Sequence, residues 1–214
     1  MFHPDSPLVN FLTRAFNFVA VNLLFVLCCL PIVTIGAAWS SLYYVISNLV
    51  DDSSTSLGIY FETFRSKFKT ATKIWLPCAV LFFLLLTEIL FISNAYGSAI
   101  ALPGGGVVQI LLMVLSVLVF ALLSYAFPLI AMNDLTVKQA LSYSFYLAAS
   151  NPVQTLVMTA LNLATVAVFF LYPELAAVLL PLWALAVFSA VAWIDCVLIK
   201  KILKKHTPET EAKL

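Results

Sequence analysis

The feature that most constrains this chain is a series of long apolar segments with almost no charge. The first segment, residues 15–48, contains no Asp, Glu, Lys, Arg or His. Charged residues make up 10% of the chain, whereas soluble domains carry about 25%. So few charges cannot build a water-facing surface, but they suit a chain embedded in a bilayer. The sequence therefore predicts one all-α domain, a polytopic membrane helical bundle.

Five membrane spans are predicted, because a helix that crosses about 30 Å of hydrocarbon needs about 20 apolar residues. They lie at about 15–48, 74–94, 107–132, 152–172 and 175–199, and residues 200–214 form a cytoplasmic tail. The first run is too long for one straight span, yet two crossings would receive only about 16 residues each. We expect a single span that is kinked at Pro31, because proline lacks the N–H that a helix interior requires. A re-entrant first run is the alternative.

Small residues follow Pro31 and predict a close helix contact. Gly36 and Ser40, and likewise Ala37 and Ser41, form pairs of small residues four positions apart. Such pairs allow two helix backbones to approach closely in lipid. We therefore expect a bend or break between Leu27 and Gly36, with the segment after it packed against another helix.

The basic residues predict the orientation in the membrane. In a five-span bundle, ten of the eleven Lys and Arg residues fall on one side, and Arg14 is the exception. The positive-inside rule makes that side cytoplasmic. The prediction is a multi-pass protein of the cell membrane with its N-terminus outside and its C-terminus in the cytoplasm. A re-entrant first run would allow the N-terminus to lie inside.

Two amphipathic connectors are predicted on the cytoplasmic side, at about 56–72 and 136–150. In the first, Phe61, Phe64 and Phe68 share one helical face, which we expect to point inward while Lys and Arg lie opposite. In the second, Thr136 and Gln139 have the spacing of a capping box. Its apolar face is expected to consist of Val137, Leu141, Phe145 and Ala148.

Polar side chains inside the apolar runs are the candidate sites. They are Asn17, Asn22, Glu88, Asn162 and Asp195. Interhelical hydrogen bonding is the ordinary role of such groups. Since an intramembrane carboxylate normally needs a partner, we expect Arg14 to pair with Glu88. The alternative is a protonated Glu88 bonded to Asn17 or Asn22. Asp195 is expected near the cytoplasmic interface, in contact with water.

Three segments resemble the YesL family of bacterial integral membrane proteins, whose function is unknown. They are NLLFVLCCLPIVTIGAAWSSLYYV at 22–45, YFETFRSKFKTAT at 60–72 and NPVQTL at 151–156. Typical members carry Asn where this chain has Lys67. The resemblance implies about five spans and genomic company with carbohydrate uptake and glycoside-degrading systems. It implies no catalytic or binding residue.

The sequence offers no motif for an enzyme. Its only histidines, His3 and His206, lie in the terminal segments, and its four cysteines lie in apolar runs without metal-ligand spacing. We therefore expect no catalysis, no cofactor, no metal and no nucleic-acid partner. The predicted function is an accessory or regulatory component beside a carbohydrate uptake system, with the bilayer and possible sugar-import permease subunits as partners. A small stand-alone transporter or channel is the alternative, and the oligomeric state is left open.

Overall fold

The computed structural model describes residues 7–53, 55–95, 105–171 and 173–211, and the regular structure within these ranges is helical. The helices are α1 Pro7–Cys28, α2 Ile35–Val50, α3 Leu57–Ala95, α4 Gly105–Met132, α5 Val137–Ser150, α6 Pro152–Leu171, α7 Pro173–Leu182 and α8 Phe188–Glu211. A 3-10 turn, Ile32–Thr34, precedes α2, and a π-helical segment, Trp183–Val187, joins α7 to α8. The all-α bundle predicted from the sequence is confirmed.

Four stretches of the described residues are long and apolar enough to cross a membrane. They are Phe11–Cys28, Ile32–Val50, Val114–Met132 and Leu179–Lys205. The first two both belong to the apolar run that the sequence analysis treats as a single span. The structure is therefore compatible with a multi-pass membrane protein in which that run supplies two helices.

The first apolar run folds back on itself. The predicted break is present: Pro31 is extended (φ −81°, ψ 125°), and the Thr34 hydroxyl donates to the carbonyl oxygen of Cys28 at 2.6 Å. Beyond the break, α2 returns along α1, so that the Arg14 guanidinium pairs with the Asp52 carboxylate. An unbroken helix would separate these residues by about 57 Å.

A single kinked span over 15–48 is therefore wrong: the run forms two helices that return to the same end of the bundle, a feature that the re-entrant alternative shares with two full crossings. Two helices are long enough because α1 begins at Pro7, ahead of the uncharged run, and so reaches 22 residues. At 1.5 Å per residue, α1 is about 33 Å long and the 16-residue α2 about 24 Å.

The small-residue face of α2 packs against α3, as the sequence predicts. A Cβ atom added to Gly36 would lie 2.7 Å from the Trp75 Cβ and 2.9 Å from the Ala71 carbonyl oxygen. The Ser40 and Ser41 hydroxyls bond to carbonyls of their own helix, at 3.1 and 2.8 Å. They therefore fill a narrow contact without needing a partner on α3.

Helix α2 is the centre of the bundle. Eleven of its 16 residues are buried, and it packs against α1, α3, α4 and α8. The Trp39 ring stacks on Phe127 of α4, with centroids 5.9 Å apart, and meets Phe25 of α1 edge-on at 5.7 Å. Side chains on α2 therefore reach most of the other helices of the bundle.

The first predicted connector is not a separate helix. Residues 57–72 are the beginning of α3, which continues for 39 residues. Tyr60, Thr63, Ala71 and Ile74 are buried there. Phe61 is 46% exposed, so the prediction that it points inward is wrong. The smaller Thr63 and Ala71 allow the closer approach to the neighbouring helices.

The second predicted connector is a separate helix, α5, but the predicted apolar face is not the face that is most buried. The capping box is present: the Thr136 N–H donates to Gln139 Oε1 at 3.0 Å, and the Gln139 N–H donates to Thr136 Oγ1 at 3.4 Å. The buried residues are Ala140, Ser144 and Leu147, whereas Phe145 is 68% exposed. In a bilayer the larger apolar side chains can face lipid, so the small residues occupy the helix contact.

Gly36→Ala tests the close contact between α2 and α3. We expect it to destabilise the protein by about 1–3 kcal/mol, because the added methyl group overlaps the backbone of Ala71. Gly58→Ala is the matched control: its new Cβ meets only the Ser56 hydroxyl at 3.6 Å. That change should be neutral or stabilise α3 by up to about 1 kcal/mol. Thermal unfolding in mild detergent measures both, and equal melting temperatures would contradict the contact.

Candidate functional site: a buried polar network

A buried carboxylate joins three helices inside the bundle. Asp195 of α8 is 0% exposed. Its Oδ2 atom accepts hydrogen bonds from Tyr43 Oη of α2 at 2.7 Å and from Asn162 Nδ2 of α6 at 2.8 Å. Both donors are themselves buried. The three side chains form what we call the Asp195 cluster, which ties α2, α6 and α8 together.

The second oxygen of this carboxyl group is left without a partner. Asp195 Oδ1 is buried and accepts no hydrogen bond from any residue that the structure describes. Thr159 lies one turn before Asn162 on α6. Its hydroxyl is also buried, and it has no hydrogen-bond partner among the residues that the structure describes. Most buried polar groups in proteins are hydrogen-bonded. An unpaired oxygen on a buried acid is therefore an unusual feature of this bundle.

Two small cavities adjoin the Asp195 cluster. Their volumes are about 20 and 10 Å³, and both are lined by Trp39, Tyr43 and Asn162. A cavity needs roughly 10–15 Å³ to hold a water molecule, which must also find polar partners. The larger cavity has the volume of about one water, but only apolar atoms line it, so it offers no polar partner for a bound water.

A second buried polar contact stabilises the break in the last apolar segment. Pro181 lies inside α7 and cannot donate a backbone hydrogen bond, and the chain beyond it becomes π-helical. The buried Asn22 side chain of α1 donates to the carbonyl oxygens of Trp183 and Ala184, both at 2.7 Å. Its own oxygen accepts the Ser189 N–H at 2.8 Å. One amide therefore bonds three backbone groups around the distorted turn.

Charged residues collect at one end of the bundle. Lys200 pairs with Asp51 at 2.7 Å and donates to the Ser47 carbonyl oxygen at 2.7 Å. Lys67 of α3 pairs at 2.5 Å with Asp134, which lies in the turn between α4 and α5. The hydrogen bond from Lys67 holds the pKa of the Asp134 carboxyl below its usual value. Two open clefts of about 340 and 350 Å³ lie at this end, and they are lined by Lys67 and Arg14 respectively.

The predicted pair of Arg14 and Glu88 is replaced by a different contact. Arg14 pairs with Asp52, because the fold-back places the start of α1 beside the turn before α3. Glu88 lies 31 residues beyond the start of α3, about 46 Å along that helix. The side chain of Glu88 is not among those that the structure describes. Asn17, one candidate partner for Glu88, donates instead to Thr55 at 3.1 Å.

The structure brings together two of the predicted site residues and separates the others. Asn162 and Asp195 bond to each other. The expectation that Asp195 is in contact with water is wrong, because its side chain is fully buried within the bundle. Asn22 of α1 bonds to the π-helical segment, whereas Pro31 and Gly36 shape the fold-back and its packing. Sequence reasoning missed Tyr43. A tyrosine within an apolar run needs a partner for its hydroxyl, and that need was the available signal.

One protein-family model matches part of the chain. Residues 18–89 match the family model described as "Protein of unknown function, DUF624". No curated protein and no solved structure matches the chain. The matched segment includes Asn22, Gly36 and Tyr43 but ends before Asn162 and Asp195. The Asp195 cluster therefore joins one residue inside the matched segment to two residues outside it.

Asn22→Ala tests the support of the π-helical segment. We expect it to cost about 3 kcal/mol of stability, because it leaves buried backbone groups without partners. Asn17→Ala is the control, since Asn17 lines an open cleft where water can replace its bonds to Thr55. It should cost about 1 kcal/mol. Thermal unfolding in one detergent compares the two variants, and equal losses would show that the Asn22 bonds do not stabilise the segment.

Proposed function

We propose that this membrane protein is an accessory or regulatory component beside a carbohydrate uptake system in the bacterial cell membrane. The association with carbohydrate uptake rests on the resemblance to the YesL family, whose genes lie near those of carbohydrate uptake systems. The observation that favours an accessory role is the packing around the centre of the bundle. Its cavities there, among the described residues, have room for about one water molecule, whereas small-molecule sites occupy about 300–1,000 Å³.

The proposal assigns both termini to the cytoplasm. The fold-back places Arg14 at the end of the bundle that also carries Lys67 and Lys200. The one exception to the sorting of basic residues thereby disappears, and the positive-inside rule makes this end cytoplasmic. With the first run crossing twice, the chain has six crossings instead of five. The two clefts of about 340 and 350 Å³ then open toward the cytoplasm.

A stand-alone transporter or channel is the second candidate, and two observations favour it. Asp195 is an ionisable group buried in an apolar segment, and such groups often mark ion or substrate pathways. The same segment is interrupted by Pro181 and the π-helical turn, as broken helices are in many transporters. This candidate requires a conformation with a wider path than the water-sized cavities beside Tyr43.

Cysteine labelling tests the proposed topology. In a background without native cysteines, Thr13→Cys and Ser142→Cys should both react with a membrane-impermeant maleimide only after the cells are permeabilised. Thr13 lines the cleft beside Arg14, and Ser142 is exposed on α5. Both therefore lie at the proposed cytoplasmic end. If the Thr13→Cys variant reacted in intact cells while the Ser142→Cys variant stayed protected, the start of α1 would lie outside and the six-crossing topology would be contradicted.

Co-purification and flux separate the two candidate functions. The tagged chain is purified in mild detergent from cells grown on a carbohydrate inducer, with an unrelated multi-pass protein carrying the same tag as the control. We expect permease subunits of a sugar importer, identified by mass spectrometry, to be enriched only with this chain. In proteoliposomes that contain this chain alone, we expect no sugar uptake above empty vesicles. Uptake by the chain alone, without enriched permease subunits, would overturn the accessory role.

A further inference from the structure

The Asp195 carboxyl group has no basic partner among the residues that the structure describes. The nearest basic residue along α8 is Lys200, and its ammonium group is engaged by Asp51 and by the Ser47 carbonyl oxygen. Arg14 is engaged by Asp52 and Lys67 by Asp134. Each of these pairs lies at the charged end of the bundle. Within the described part of the chain, the groups that bond to Asp195 are the neutral Tyr43 hydroxyl and the neutral Asn162 amide.

The described parts of the other helices packed against α8 add no basic group near Asp195. The titratable groups around it are Tyr43 on α2, Tyr125 on α4 and Cys196 on α8 itself. Tyr44 of α2 faces the cleft beside Lys67. Helix α6 and the π-helical segment contain no titratable residue, and the only such residues of α1 are Arg14 and Cys28. Cys28 interacts with Tyr60 of α3.

These surroundings favour an uncharged carboxyl group. Burying an ionised carboxylate without a countercharge costs several kcal/mol, and the group usually takes up a proton instead. The hydrogen bonds from Tyr43 and Asn162 act in the opposite direction, because they stabilise the charged form. Since both bonds go to Oδ2, the unpaired Oδ1 is the atom that is free to carry a proton. The site therefore combines a buried proton acceptor with two donors that make release of the proton feasible.

We propose that Asp195 is a proton-binding site within the membrane-embedded bundle. The carboxyl group holds its proton at mildly acidic pH, where exposed carboxylates are already ionised, and at higher pH it releases the proton to water and becomes a carboxylate. Ionisation strengthens the hydrogen bonds from Tyr43 and Asn162, so the contact between α2, α6 and α8 depends on the bound proton. The adjacent cavity, which has room for about one water, lies beside the same Tyr43 and Asn162 side chains. This proposal does not depend on the association with carbohydrate uptake.

Infrared difference spectroscopy of the protein in lipid vesicles observes the proton directly. A protonated carboxylic acid gives a carbonyl-stretch band that a carboxylate lacks. We expect this band at mildly acidic pH in the wild-type protein, its decrease as the pH is raised, and its loss in Asp195→Asn. The controls are Glu88→Gln, which removes the other acid in an apolar run, and Glu62→Gln, which removes an exposed acid. Identical spectra for the wild type and Asp195→Asn at mildly acidic pH would overturn the proposal.

A pair of adjacent tyrosines provides a test that keeps Asp195 intact. Tyr43→Phe removes a donor that stabilises the carboxylate, so the band should persist to a pH about one unit higher than in the wild type. Tyr44→Phe changes a neighbouring tyrosine that faces the open cleft, and it should leave the titration unchanged. Equal titrations for the two variants would contradict proton binding in the Asp195 cluster. Loss of the band on addition of Na⁺ or K⁺ at constant pH would identify a metal-cation site and would also overturn it.

Discussion

The reversal of the chain between Cys28 and Ile35 positions the other helices of this protein. Pro31 ends the helical hydrogen bonding, and the Thr34 hydroxyl satisfies the Cys28 carbonyl oxygen that the break exposes. The Trp75 indole donates to the Ile32 carbonyl oxygen at 2.7 Å and so attaches the reversal to α3. Gly36 then allows α2 to lie against the α3 backbone. Because α2 is held there, it becomes the central helix and carries Tyr43 to Asp195.

Hydrogen bonds between helices supply the specificity that apolar packing lacks in a membrane. Lipid tails are as apolar as leucine, so burial of apolar surface does not by itself select one helix partner over another. In this bundle, Asn22 donates hydrogen bonds to the π-helical turn. Tyr43 and Asn162 donate hydrogen bonds to Asp195. Single interhelical bonds of this kind contribute about 0.6–2 kcal/mol. Their value lies in fixing the rotation and register of α1, α2, α6 and α8.

On α5 the large apolar side chains do not all mark the interior of the bundle. The small Ala140 and Ser144 are buried together with Leu147, whereas Leu141 and Phe145 are exposed. In water that arrangement would be unfavourable, but a bilayer solvates large apolar side chains as well as a protein core does. Small residues at the helix contacts gain close packing instead. A face that is apolar by sequence is therefore not by itself the buried face of such a helix.

The sequence by itself determined the features that depend on local chemistry. The capping box at Thr136 requires only two side chains three residues apart, the break at Pro31 requires only a missing N–H, and the small face after Gly36 follows from helical periodicity. The partner of Arg14, the inward face of α5 and the burial of Asp195 depended on where distant segments meet. Asp195 lies 152 residues beyond Tyr43 and 33 beyond Asn162. The reversal at Pro31 decided that the Asp195 carboxyl group met a tyrosine and not water. A single kinked span would not have turned α2 back along α1 to the charged end of the bundle.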